Sequence, residues 1–90
     1  MTSGRGVRTA PEFDRAVKKL DRPTARVIIA ALEKVASSGD PRSRGRALTG
    51  NRRGYWRYRV GDHWIIAYID DREMVIIAID VGHRSTTYRR

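Results

Sequence analysis

Between residues 11 and 37, apolar side chains recur at helical spacing. Phe13, Ala16, Val17 and Leu20 fall at i, i+3, i+4 and i+7, and Ile28, Ala31, Leu32 and Val35 repeat the stripe. Pro11 and Pro23 each suit a first helical turn. Glu12 and Asp14 suit the positive end of the first helix, and Asp21 suits the N-cap of the second. The pattern predicts helices over 11–20 and about 23–37, the second closed by Gly39 as C-cap and by Pro41. So short a joint predicts that the two pack as an antiparallel hairpin.

From residue 55 the spacing shortens to two. "YWRYRV" (55–60), "HWIIAYI" (63–69) and "MVIIAIDV" (74–81) read as strands, with tight turns at Gly61-Asp62 and Asp71-Arg72. "RGVRTA" (5–10) is a weaker first strand. No repeat or second domain interrupts residues 1–90. The prediction is one α+β domain of order β-α-α-β-β-β, its N-terminal helical hairpin packed on one face of a small antiparallel sheet.

A two-residue turn at Gly61-Asp62 fixes a register. Arg59 faces Trp64, Arg57 faces Ile66 and Tyr55 faces Tyr68, and cross-strand partners share a sheet face. Tyr55, Arg57, Arg59, Trp64, Ile66 and Tyr68 then look one way. Trp56, Tyr58, Val60, His63, Ile65, Ala67 and Ile69 look the other way and, being more apolar, pack on the helices. The last strand is apolar on both sides, a pattern of central or covered strands. Met74, Ile76 and Ala78 are predicted inward, and Val75, Ile77, Ile79 and Val81 on the arginine face. Either the C-terminal tail folds over that face or a partner covers it.

Charge sharpens this picture. The chain carries a net charge of +9, with sixteen arginines against three lysines. Residues 12–40 are close to neutral, whereas residues 41–61 hold Arg42, Arg44, Arg46, Arg52, Arg53, Arg57 and Arg59 and no acid. Guanidinium forks suit bidentate phosphate contacts and base stacking, so the zone reads as a polyanion-binding surface. Other chemistries find no support. There is no cysteine, the two histidines lie twenty residues apart without zinc-ligand spacing, and no Gly-rich phosphate loop precedes a helix. No metal or cofactor is expected. The N-terminus lacks the apolar core of a signal peptide and no stretch is long enough for a membrane span, so a cytoplasmic location is expected.

Leu48-x-Gly50, "YWRYRVGDHWIIAYIDD" and "VGHRSTTY" together resemble the RelE/ParE toxin superfamily, the small toxins of bacterial toxin–antitoxin pairs. The resemblance spans most of the chain. Its most specific parts are the "RVGD" turn and the Val-Gly-His-Arg…Tyr ending. It implies a metal-independent endoribonuclease that cuts mRNA in the ribosomal A site, the 2′-hydroxyl attacking the adjacent phosphate. It also implies a cognate antitoxin, expected to be acidic and RelB-like. By position, the catalytic cations fall on Arg57, Arg59 and Arg84 and the substrate-orienting tyrosine on Tyr88. Trp64 stands where the RelE-like pattern has an arginine. Arginine is a poor general base, and histidine titrates nearest neutrality, so His83 is the candidate acid or base while His63 is structural. Arg42, Arg44, Arg46, Arg52, Arg53, Tyr55 and Trp64 are the expected RNA contacts. A ParE-like gyrase poison without nuclease activity and a non-catalytic RNA-binding module are the alternatives.

Overall fold

The computed structural model describes residues 5–83. Its elements run β1 (Gly6–Thr9), α1 (Pro11–Lys18), α2 (Arg22–Ser37), β2 (Arg46–Ala47), β3 (Trp56–Val60), β4 (His63–Asp70) and β5 (Val75–His83). The β-α-α-β-β-β order is present, with the two-residue β2 added inside the basic segment. Asp21 occupies the N-cap of α2, and the chain leaves that helix through an extended Ser38 rather than through Gly39.

The strands lie in the order β1-β5-β4-β3-β2. β2 to β5 pair antiparallel, while β1 pairs parallel with β5, which makes the sheet mixed rather than wholly antiparallel. The meander returns β5 in the direction of β1, and β1 fills its open edge. Parallel neighbours need a long connection, which the helices and three strands between them supply.

Both helices cover one face. Phe13, Ile28 and Leu32 meet Tyr58, Ile65, Ala67, Ile69, Ile76, Ala78 and Val81 in one core. Burying a large apolar side chain of this kind stabilises by about 1.5–3 kcal/mol. Each helix packs chiefly on the sheet, α1 on β5 and α2 across β1, β3 and β5.

Two irregularities determine what points where. The β3–β4 turn is tight, with Gly61 at φ 59° in its first central position, as a type II′ hairpin turn requires. Val60↔His63, Arg59↔Trp64 and Arg57↔Ile66 follow as predicted. The β4–β5 connection is longer. Asp70 pairs with Val75, so Asp71–Met74 form a four-residue loop, in which the Asp70 carboxylate accepts the Arg72 and Glu73 N–H groups at 3.0 and 3.1 Å. Met74, predicted inward, sits in this loop at φ 57° and is 47% exposed. Lengthening a loop by two residues preserves which face each side chain takes.

The second irregularity does not preserve it. Ala67 pairs with Ala78 but Ile66 pairs with Asp80, leaving Ile79 as the extra residue of a β-bulge. Beyond Ile79 every side chain changes face. Val81, predicted on the arginine face, belongs to the core instead, and Asp80 and Gly82 turn outward.

The basic segment is pinned down rather than loose. Pro41 opens a short 3-10 turn and is buried. The Tyr58 hydroxyl donates to its carbonyl at 2.9 Å, and burial pushes the Tyr58 phenol up to about 12.

Candidate functional site

Cross-strand pairing lays the outward side chains of the sheet in rows about 6.6 Å apart, two residues of strand rise. The first row holds Tyr55 and Tyr68, whose ring centroids stand 5.8 Å apart at 56°, with Ile77 beyond them on β5. The second runs Arg46, Arg57, Ile66, Asp80. The third runs Arg59, Trp64, Gly82. Sequence periodicity thus brings Tyr55, Arg57, Arg59 and Trp64 together as expected, and β2 adds Arg46 directly opposite Arg57.

That pairing has a cost. Like charges directly opposite one another in an antiparallel pair are destabilising, and none of Arg46, Arg57 and Arg59 forms an ion pair among the described residues. Arg59 Nε donates to the Gly61 carbonyl at 3.1 Å, tethering that guanidinium at the hairpin end. Ile66 lies between the Arg57 and Asp80 positions and is only 4% exposed, although it faces away from the helices. It forms an apolar floor to the second row. A Cβ at Gly82 would stand 2.5 Å from the Trp64 indole, so the ring lies against the bare Gly82 backbone.

His83 is not part of this face. It pairs with His63, and the two rings meet edge-on at 5.0 Å on the helix side, beside Pro23, Thr24 and Val27 of α2. The expectation that His83 stands with the arginines is corrected by the bulge, which turns it through the sheet. His63 is inward as predicted. Arg42, one of the expected RNA contacts, is engaged within the chain. Its guanidinium grips both oxygens of Asp71, at 2.9 and 3.4 Å. Arg5 reaches the same carboxylate at 3.0 Å, outside hydrogen-bonding geometry. The Arg42 bond is the main reason the Asp71 carboxyl is held below its ordinary range, burial opposing it and Arg5 adding to it. Arg44, Arg52 and Arg53 are exposed along the connection flanking β2. Arg84 and Tyr88 lie outside the described residues.

Asp80 is the outward residue that periodicity missed. Strict alternation places it inward, and only the bulge brings it beside Ile66. Its Oδ1 accepts the Val81 N–H at 2.8 Å. The available signal was Gly82, since a lone glycine inside a strand marks a bulge or a close approach.

A sequence model of the family described as "ParE toxin of type II toxin-antitoxin system, parDE" matches residues 7–88. The chain belongs to this toxin family. No curated protein sequence matches it significantly. Among solved structures, the toxin resembles a chain of the RelBE2 toxin–antitoxin complex from Mycobacterium tuberculosis. The identity is 20%, covering 91% of this chain and 93% of that one, with a TM-score of 0.83. It also resembles a chain of the archaeal RelE–RelB complex from Pyrococcus horikoshii, at 21% identity over the whole of both chains and a TM-score of 0.72. YafQ from Escherichia coli is similar at 16% identity, covering 93% and 98%, with a TM-score of 0.63. These likenesses establish a RelE-like fold for the toxin.

Proposed function

We propose that the toxin is a ribosome-dependent endoribonuclease that binds mRNA on its outward sheet face. The observation that carries this reading is the placement of Arg57 and Arg59 away from the helices, beside Arg46, with no carboxylate partner among the described residues. Arginines set against one another at a cost in stability suit a polyanion that neutralises them on arrival. Tyr55 and Tyr68 flank the cationic rows at one end and Trp64 stands beside Arg59 at the other, and bases stack readily on such rings. The guanidinium groups would stabilise the charge that develops on phosphorus as the 2′-hydroxyl attacks. Removing one such donor typically costs a factor of about 10²–10³. Arg84 and Tyr88 of the tail complete the proposed site.

The partner proposed from the RelE–RelB and RelBE2 complexes is an antitoxin. A net charge of +9 calls for an acidic segment laid over the arginine face. A second reading, a gyrase poison without nuclease activity, draws on the ParE family match and on Trp64, which cannot neutralise phosphate as an arginine would.

Mapping RNA ends in a translating extract separates the two readings. A-site cuts by the toxin that disappear in Arg57→Ala and Arg59→Ala support the nuclease. Intact mRNA with accumulated gyrase–DNA breaks supports the poison.

A further inference from the structure

We infer that Asp80 is the general base of the proposed RNA cleavage, drawing the proton from the attacking 2′-hydroxyl. The inference rests on the nuclease reading and goes beyond it, because that reading assigns no general base. Arginine holds its proton in proteins. His63 and His83 face the helices. Asp70, the other carboxylate within the meander strands, spends Oδ1 on two loop N–H groups, four residues along β4 from Ile66.

Asp80 differs in placement. It shares a row with Arg46 and Arg57, separated from Arg57 by one strand, so the two backbones lie about 9.6 Å apart across Ile66. A phosphodiester held by Arg57 over the Ile66 floor would bring the neighbouring ribose toward β5. The Oδ1 bond to the Val81 N–H fixes the carboxylate and directs it to accept through Oδ2. The β-bulge is what puts it there: it turns Asp80 out of the core layer, and bulges recur next to active sites, where they re-aim a side chain. For binding alone the carboxylate is counterproductive, since it repels the polyanion that the rest of the face attracts.

In the step, the Asp80 carboxylate takes the proton of the 2′-hydroxyl as the 2′-oxygen bonds to phosphorus. The bond from phosphorus to the 5′-oxygen breaks, and that oxygen takes a proton from water. The products are a 2′,3′-cyclic phosphate and a free 5′-hydroxyl, and Asp80 then returns its proton to solvent.

The test is single-turnover cleavage of mRNA on purified ribosomes by the full chain and its Asp80→Asn and Asp80→Glu variants. Binding to single-stranded 2′-O-methyl RNA, which cannot be cleaved, is measured alongside. Asparagine still offers an oxygen to the Val81 N–H but cannot act as base. Asp80→Asn is expected to slow cleavage about 10²-fold or more, with RNA binding unchanged or tighter, and Asp80→Glu to recover part of the rate. Cleavage by Asp80→Asn within a few-fold of the parent overturns the inference while leaving the nuclease reading intact. Loss of RNA binding in Asp80→Asn also overturns it, marking the carboxylate as structural. A parent chain that leaves ribosomal mRNA uncut removes the nuclease reading and this inference together.

Discussion

At the scale of a single side chain, the proposed function turns on Arg57. A strand gains nothing from an arginine placed opposite Arg46, and opposed like charges in a sheet cost about 0.2–1 kcal/mol. Arg57→Gln is therefore expected to raise stability by up to that amount, read as a higher denaturation midpoint, while lowering RNA cleavage about 10²-fold. A stability loss with activity kept would contradict both halves. Tyr58 makes the opposite case. Its buried hydroxyl satisfies the Pro41 carbonyl, so Tyr58→Phe is expected to cost about 1–3 kcal/mol without altering RNA affinity. At this scale the sequence was informative about Arg57, Arg59, Tyr55 and Trp64, because period-two alternation and one tight turn settle which face they take. It did not show that Arg42 is paired, since Asp71 lies 29 residues away and leaves no local signature.

Among the elements, β5 departs furthest from its expected form. Alternation alone would carry Val81 outward and Asp80 inward, and a single extra residue at Ile79 reverses both. Nothing in the apolar pattern announces the bulge except Gly82, whose lack of a side chain lets the Trp64 indole lie on the strand. Gly82→Ala is expected to displace that ring, changing Trp64 fluorescence and weakening single-stranded RNA binding while the core stays folded. The β4–β5 loop carries a second local conflict. Met74 adopts a left-handed conformation at φ 57° without being glycine, a state that costs roughly 1–2 kcal/mol for an L-residue. Met74→Gly recovers part of this, against the greater freedom that glycine gives the unfolded chain. A gain of about 0.5–1 kcal/mol is expected, raising the thermal midpoint by roughly 2–8 °C. The two helices, by contrast, were legible almost to their ends, because their apolar stripes and leading prolines all point the same way.

Across the whole molecule, helices on one side of the sheet and Arg46, Arg57 and Arg59 on the other divide the sheet into a packing face and a proposed working face. Long-range ion pairs brace this arrangement: Asp71 ties Arg5, just before β1, to Arg42 at the head of the basic segment. The folded state holds the Asp71 carboxyl below its ordinary value. The stability it adds is therefore complete above the usual carboxylate range and lost as pH falls through the lower folded value. Asp71→Asn is expected to flatten the acid limb of thermal midpoint against pH and leave the neutral-to-alkaline limb unchanged in shape. The β-α-α-β-β-β order was readable from spacing alone. The parallel docking of β1 was not, because a short, wholly exposed strand carries no hydrophobic pattern to declare its neighbour. The decisive measurement is the salt dependence of binding to single-stranded 2′-O-methyl RNA, where each phosphate contact contributes about 0.7 to the slope of log affinity against log salt. Replacing Arg57 and Arg59 together by glutamine is expected to lower that slope by about 1.4, whereas Arg42→Gln leaves it unchanged. A slope untouched by the double replacement, or lowered as much by Arg42→Gln, would contradict the assignment of the working face.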